Sequence, residues 1–170
     1  MQKLRLFLHV IDNINDRTGK IISFLVVFIV ACVVCEVVCR SIFNAPTIWA
    51  HELSTFLYGA FIIMGGGYTL RHKVHVNVDI VYARLSQRRK AIIDLLTFTL
   101  FFSFCVVLIW YGGQVAWKSL LLLETTETIW EPPIYPLKLT IPIAAFLLLL
   151  QGLAKFIRDL TIVITDKELL

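Results

Sequence analysis

The chain has 170 residues, of which 58% are apolar and only 16% are charged. Soluble domains are nearer half apolar and a quarter charged, so this composition excludes an ordinary water-soluble enzyme, and the length allows a single domain. The net charge of +4 is small, and the basic residues flank apolar stretches without forming a groove or a recognition motif, which excludes a nucleic-acid partner.

In chain order, the first pattern is amphipathic. Leu4, Phe7, Leu8, Ile11 and Ile14 recur at helical spacing, with Lys3, Arg5, Asp12, Asp16 and Arg17 between them. This predicts a short helix lying on the inner leaflet of a membrane. Four apolar spans follow, at 21–43, 49–70, 95–115 and 137–157. Each reaches the roughly 20 residues needed to cross about 30 Å of hydrocarbon. The first is longer than the apolar run of a cleaved leader and is interrupted by Glu36 and Arg40, so it reads as a span. Lysine and arginine number 4, 1, 6, 2 and 3 across the N-terminal segment, the three loops and the tail. Basic segments stay in the cytoplasm, so both termini and the loop between the second and third spans are expected there. Trp49, Trp110, Tyr111, Trp117, Trp130 and Tyr135 collect at the opposite ends, where amphipathic rings prefer the interface. The expected fold is an all-α integral membrane protein, one domain over 1–170. It has four transmembrane helices, both termini cytoplasmic and a short N-terminal amphipathic interfacial helix.

Membrane proteins that carry solutes place polar groups at mid-membrane depth and often break a helix there. The third and fourth spans have no ionisable residue within their apolar stretches, and Pro142 sits in the first turns of the fourth. The exceptions are Glu36, Arg40 and Glu52. At 1.5 Å per residue, Glu36 lies roughly 22 Å above Ile21 and Arg40 roughly 28 Å above it. Their four-residue spacing, acid first, favours an ion pair on a helix. Glu52 enters from the same side, so Arg40 is expected between two carboxylates. Two uses compete for this cluster: a proton or cation site, and a clamp between helices or to a partner subunit. Gly59, Gly65, Gly66, Gly67, Gly112, Gly113 and Gly152 point to close helix packing, with a hinge at the triple glycine as the other reading.

Cys32, Cys35, Cys39 and Cys105 all fall within spans, the first three on one helix face. A membrane thiol oxidoreductase would need accessible thiolates near a membrane face, whereas this depth suits soft packing residues. His9, His51, His72 and His75 lie outside the apolar cores. They form no zinc set and offer no axial haem ligand within a span. No metal, cofactor or catalytic group is expected. A haem-free anchor subunit of a redox enzyme stays open as an alternative, as does the thiol oxidoreductase.

Two stretches carry a specific likeness. One is Arg40-Ser-Ile-Phe-Asn44-Ala-Pro46-Thr-Ile-Trp49-Ala-His-Glu52-Leu53. The other is Gly65-Gly-Gly-Tyr68-Thr-Leu-Arg71-His72-Lys-Val-His75-Val-Asn-Val-Asp79. Together they resemble the small membrane subunit, the DctQ-like or Q subunit, of tripartite ATP-independent periplasmic (TRAP) transporters. His51 departs from that pattern, which often has a second acid there. The resemblance implies a bacterial inner-membrane protein that is not an enzyme and binds no substrate itself. It implies a sodium-coupled uptake system for an organic acid. The small subunit would brace a large transmembrane subunit, help dock a periplasmic substrate-binding protein, and sit among membrane lipids.

Under that reading, structural or partner-interface roles fall to Glu36, Arg40, Asn44, Pro46, Trp49, Glu52, Gly66, Arg71, His75 and Asp79. Asn44 and Pro46 suit a tight turn, which Trp49 anchors at the interface. Arg71, His72 and Lys73 suit lipid headgroups, and Asp79 would pair with one of these or with the partner. Glu124, Glu127 and Glu131 are candidate docking charges, with a merely solvated face as the other reading, in a loop stiffened by Pro132 and Pro133.

Overall fold

The structure, a computed structural model, describes residues 2–72 and 87–165. Lys73, His75 and Asp79 lie outside the described residues. Among the described residues five helices follow in order: α1 (Gln2–Ser23), α2 (Leu25–Ser41), α3 (Trp49–Arg71), α4 (Gln87–Leu121) and α5 (Tyr135–Thr165). Among the described residues four stretches are long and apolar enough to cross a membrane: Arg5–Ser41, Trp49–Arg71, Ile92–Leu121 and Tyr135–Ile164. The all-α class with four membrane-spanning helices is therefore the observed one. Among the described residues the sole β contact is one isolated bridge, Thr125 to Pro133, in the loop before α5.

α1 enters α2 through a single residue. Phe24 keeps helical angles (φ −64°, ψ −22°), and tighter bonds flank it, from Phe24 N to Ile21 O at 3.2 Å and from Val27 N to Phe24 O at 3.1 Å. Between α2 and α3 the chain reverses in seven residues, 42–48. Asn44 takes a left-handed conformation there, φ 52°, which asparagine tolerates better than most residues. The Ala45 amide returns to Cys39 O at 3.1 Å. The end of the bundle with this turn and the 122–134 loop is called the loop end. The end with α1 and Arg71 is the α1 end.

α5 is central. It packs along α4 on one side and α3 on the other, and α3 in turn carries α2. The order across the bundle is α2, α3, α5, α4, with α1 laid against α3 and α5. The packed interior is made of small residues: Cys105, Ala116, Ala144, Ala145 and Ala154 are buried. Lipid tails are as apolar as leucine, so helix contact in a membrane relies on close approach rather than on burying large side chains. Gly152 shows this directly, because a Cβ there would overlap the Phe101 ring. Phe98 and Phe156 stack at 4.4 Å beside it. α2 is the opposite case and buries no residue.

α3 runs unbroken through Gly65–Gly67. The tight position is Gly67, where a Cβ would overlap Asn15 Oδ1 of α1. At Gly66 a Cβ would meet Leu148 only at ordinary contact distance, 3.8 Å. The apolar face expected on α1 is divided. Leu8 and Ile11 pack inward against Leu150, Ala154 and Ile157, while Phe7 and Ile14 stay exposed.

Candidate functional site: polar clusters at the two ends

At the α1 end, one network ties three helices. Asn15 and Gln151 are each only 2% exposed. Asn15 Nδ2 donates to Gln151 Oε1 at 2.9 Å, and to Ile11 O of its own helix at 3.2 Å. Gln151 Nε2 donates to Asp12 Oδ1 at 3.0 Å. The other Asp12 oxygen accepts from Arg158 at 2.6 Å. Arg71, on the last turn of α3, donates to the Asp12 carbonyl at 2.6 Å and pairs with Asp16 at 2.7 Å. His72 also reaches Asp16, at 3.1 Å, and stacks on Tyr68. Lys155 closes the neighbouring gap to Asp94 of α4 at 2.8 Å. The Asp12 carboxylate held by Gln151 and Arg158 of α5, and the Asp16 carboxylate held by Arg71 of α3, make a rigid joint, because charge-assisted bonds are short and strong in a low dielectric.

Arg71 was expected both in a structural or partner-interface role and at lipid headgroups, and the structure turns it toward α1. The reason is supply: Asp12 and Asp16 sit one helical turn apart on α1, facing the end of α3. His72 stays more exposed, with one contact to Asp16. Asn15, Gln151 and Arg158 escaped the sequence reading. The available signals were an amide inside the apolar face of α1 and a lone amide in the apolar run of α5.

At the loop end the polar groups form separate pairs. Glu36 accepts from the Thr47 amide at 3.0 Å and from the Thr47 hydroxyl, which fixes the turn that holds Asn44 and Pro46. Glu52 accepts from Thr128 at 2.9 Å and so tethers the 122–134 loop to the start of α3. Arg40 therefore does not lie clamped between the two carboxylates, because the threonines reach them first. Arg40 and His51 act on Glu36 only through space, and Arg40 forms no ion pair among the described residues. Trp49 is the first residue of α3.

The loop is ordered by its own backbone. Thr126 N bonds Pro132 O at 3.0 Å, Ile134 N bonds Glu124 O at 2.9 Å, and Glu131 N bonds Thr128 O at 3.1 Å. Glu124 pairs with Lys138 of α5 at 2.6 Å, and that ammonium holds its carboxyl below the ordinary glutamate range. Glu124 thus anchors the loop, whereas Glu127 and Glu131 are exposed.

No group of three or more His, Cys, Asp or Glu able to hold a metal occurs among the described residues. The four cysteines are free thiols, and Cys105 is buried in the packed interior.

Residues 29–162 match the model of one family, described as tripartite ATP-independent periplasmic transporters, DctQ component. The matched stretch contains Arg71, Gln151 and Arg158 but begins after α1, so Asp12, Asn15 and Asp16 fall outside it. No curated protein matches the chain.

Proposed function

Since the chain belongs to the DctQ-component family of tripartite ATP-independent periplasmic transporters, a family of transporter components and not of enzymes, we propose that it is the small scaffold subunit of a sodium-coupled uptake system for an organic acid. It braces the large transmembrane subunit in the bacterial inner membrane and helps dock the periplasmic substrate-binding protein. Its termini and α1 lie on the cytoplasmic side, and the loop end faces the periplasm. The family match does not favour the redox-anchor or thiol-oxidoreductase alternatives.

One observation carries the reading: at each end of the bundle polar side chains hold helices, a turn and a loop together. Asp12, Asn15, Gln151 and Arg158 lock helices at one end, and Glu36, Glu52 and Glu124 hold a turn and a loop at the other. Between them the buried residues include Cys105, Ala116, Ala144 and Ala145, with Ser54 and Ser119 the buried polar residues toward the loop end. A solute pocket needs convergent polar groups at mid-depth, and a brace needs stiff ends. Glu127 and Glu131 are the charges left for a periplasmic partner, since Glu124 is engaged.

The test is reconstitution. The purified chain alone in liposomes under an inward sodium gradient should take up no organic acid, and uptake should require the large subunit and the binding protein. Sodium-driven flux through this chain alone would overturn the scaffold reading.

A further inference from the structure

α1 divides lengthwise into three strips. Leu8, Ile11, Asn15 and Ile22 recur at helical spacing and are buried against the bundle. Val10, Ile14 and Ile21 share a second side and are exposed, and Leu6 and Phe7 extend that strip toward the N-terminus. His9, Asn13, Arg17 and Lys20 make a third strip, also exposed. The helical repeat sets the three on different sides, with Arg17 at the seam between the exposed apolar strip and the polar one.

The acids of α1 lie on its remaining edge and are engaged. Asp12 is held by Gln151 and Arg158, and Asp16 by Arg71 and His72. In residue order α1 mixes both signs, but the fold turns its carboxylates toward α3 and α5. The outward side keeps the cations. Arg17 forms no ion pair among the described residues. Lys20 is 70% exposed and reaches Asp16 at 3.3 Å, a surface pair of little worth.

Other cations at this end are arranged differently. On α4, Arg89 and Lys90 precede the apolar stretch that starts at Ile92, the ordinary arrangement at the end of a span. On α5, Lys155 and Arg158 are paired with Asp94 and Asp12. Among the described residues at this end, α1 alone sets unengaged cations beside an exposed apolar strip. Connectivity fixes its depth. α1 runs through Phe24 into α2, and the joint stretch Arg5–Ser41 has 37 residues. That is roughly 55 Å of helix against about 30 Å of hydrocarbon, so α1 emerges into the headgroup layer.

We propose that α1 docks on anionic phospholipid in the leaflet at the α1 end. Val10, Ile14 and Ile21 lie against acyl chains, and the Arg17 guanidinium and Lys20 ammonium meet headgroup phosphates. Arg71 takes no part, because Asp16 and the Asp12 carbonyl hold it. The contact goes beyond the scaffold reading and needs no partner subunit.

The experiment is amide hydrogen exchange of α1, read by mass spectrometry on the full chain in nanodiscs. One set is phosphatidylcholine alone, and the other is phosphatidylcholine and phosphatidylglycerol in equal parts. Exchange should be roughly fivefold slower in the anionic discs, the effect of a single cation near an anionic surface. Arg17→Gln combined with Lys20→Gln should bring the two compositions within about twofold of each other. Arg40→Gln combined with Lys118→Gln removes the same charge at the loop end and should leave the difference intact. Ile14→Ser should speed exchange in both compositions. Equal exchange of wild-type α1 in the two compositions, or the same loss from the loop-end pair, overturns the proposal. So does protection that appears on co-expression with the permease subunit and is indifferent to lipid charge, which would make that subunit the occupant.

Discussion

Both ends of this bundle carry carboxylates, and they hold them differently. At the α1 end, Asp12 bonds Gln151 and Arg158 at once, and Gln151 also binds Asn15. At the loop end, Glu36, Glu52 and Glu124 each serve mainly one neighbour: Thr47, Thr128 and Lys138. The difference is burial. Asn15 and Gln151 are out of reach of water, so each unmade bond there strands a desolvated group. The Thr128 bond to Glu52 is exposed, and water replaces it readily. One end is a joint whose parts depend on one another, and the other is a set of independent tethers around a loop.

Three measurements can break that contrast. The largest effect is expected from Asp12→Ala, which removes the acceptor of both Gln151 and Arg158. It should destabilise the protein by about 3 kcal/mol, the lower part of the range for breaking a buried ion pair, since Arg158 keeps some solvent access. Unfolding in mixed detergent micelles reads this, with Thr128→Val as comparator at about 0.5 kcal/mol or less. Similar losses for the two variants would erase the distinction.

Next is Gln151→Leu, which keeps the volume and removes both amide bonds. A loss of about 1–2 kcal/mol is expected, together with easier protease access to α1. Unchanged protection of α1 would mean that Leu8 and Ile11 suffice to hold it.

The smallest effect is a pH response at the loop end. Lys138 depresses the Glu124 titration below the ordinary 4.5. The tether is therefore fully present above that value and is lost as pH falls through the depressed one. With the other three tryptophans replaced by phenylalanine, Trp130 fluorescence should change as pH falls below the ordinary glutamate range. Lys138→Met should remove that change. A transition unaffected by Lys138→Met would show that another group titrates.

Much of the architecture was legible from residue order. Runs such as 95–115 state their own fate, because hydrocarbon thickness and the helical rise set the length of a span. Asn44 and Pro46 marked the turn before α3, since few residue types accept its backbone. The polar contacts were less legible. Glu36 and Arg40 have the spacing of a helix pair, yet Thr47 takes the carboxylate, because the turn brings a backbone amide and a hydroxyl to it together. Glu124 read as a free docking charge until α5 placed Lys138 beside it. Gly66 and Gly67 are indistinguishable as letters, and only the approach of Asn15 separates them.

The amino-acid order by itself determined that this chain is a four-span helical membrane protein, and its motifs pointed to its family. Those properties follow from local composition and periodicity. Only the tertiary structure decided that α1 is bolted to the bundle through Asn15, Asp12, Gln151 and Arg158. Those partners lie 136 to 146 residues apart. Periodicity says which side chains share a face of one helix. Which helix that face meets, and at what height, depends on rotation and register set by all the helices packing together.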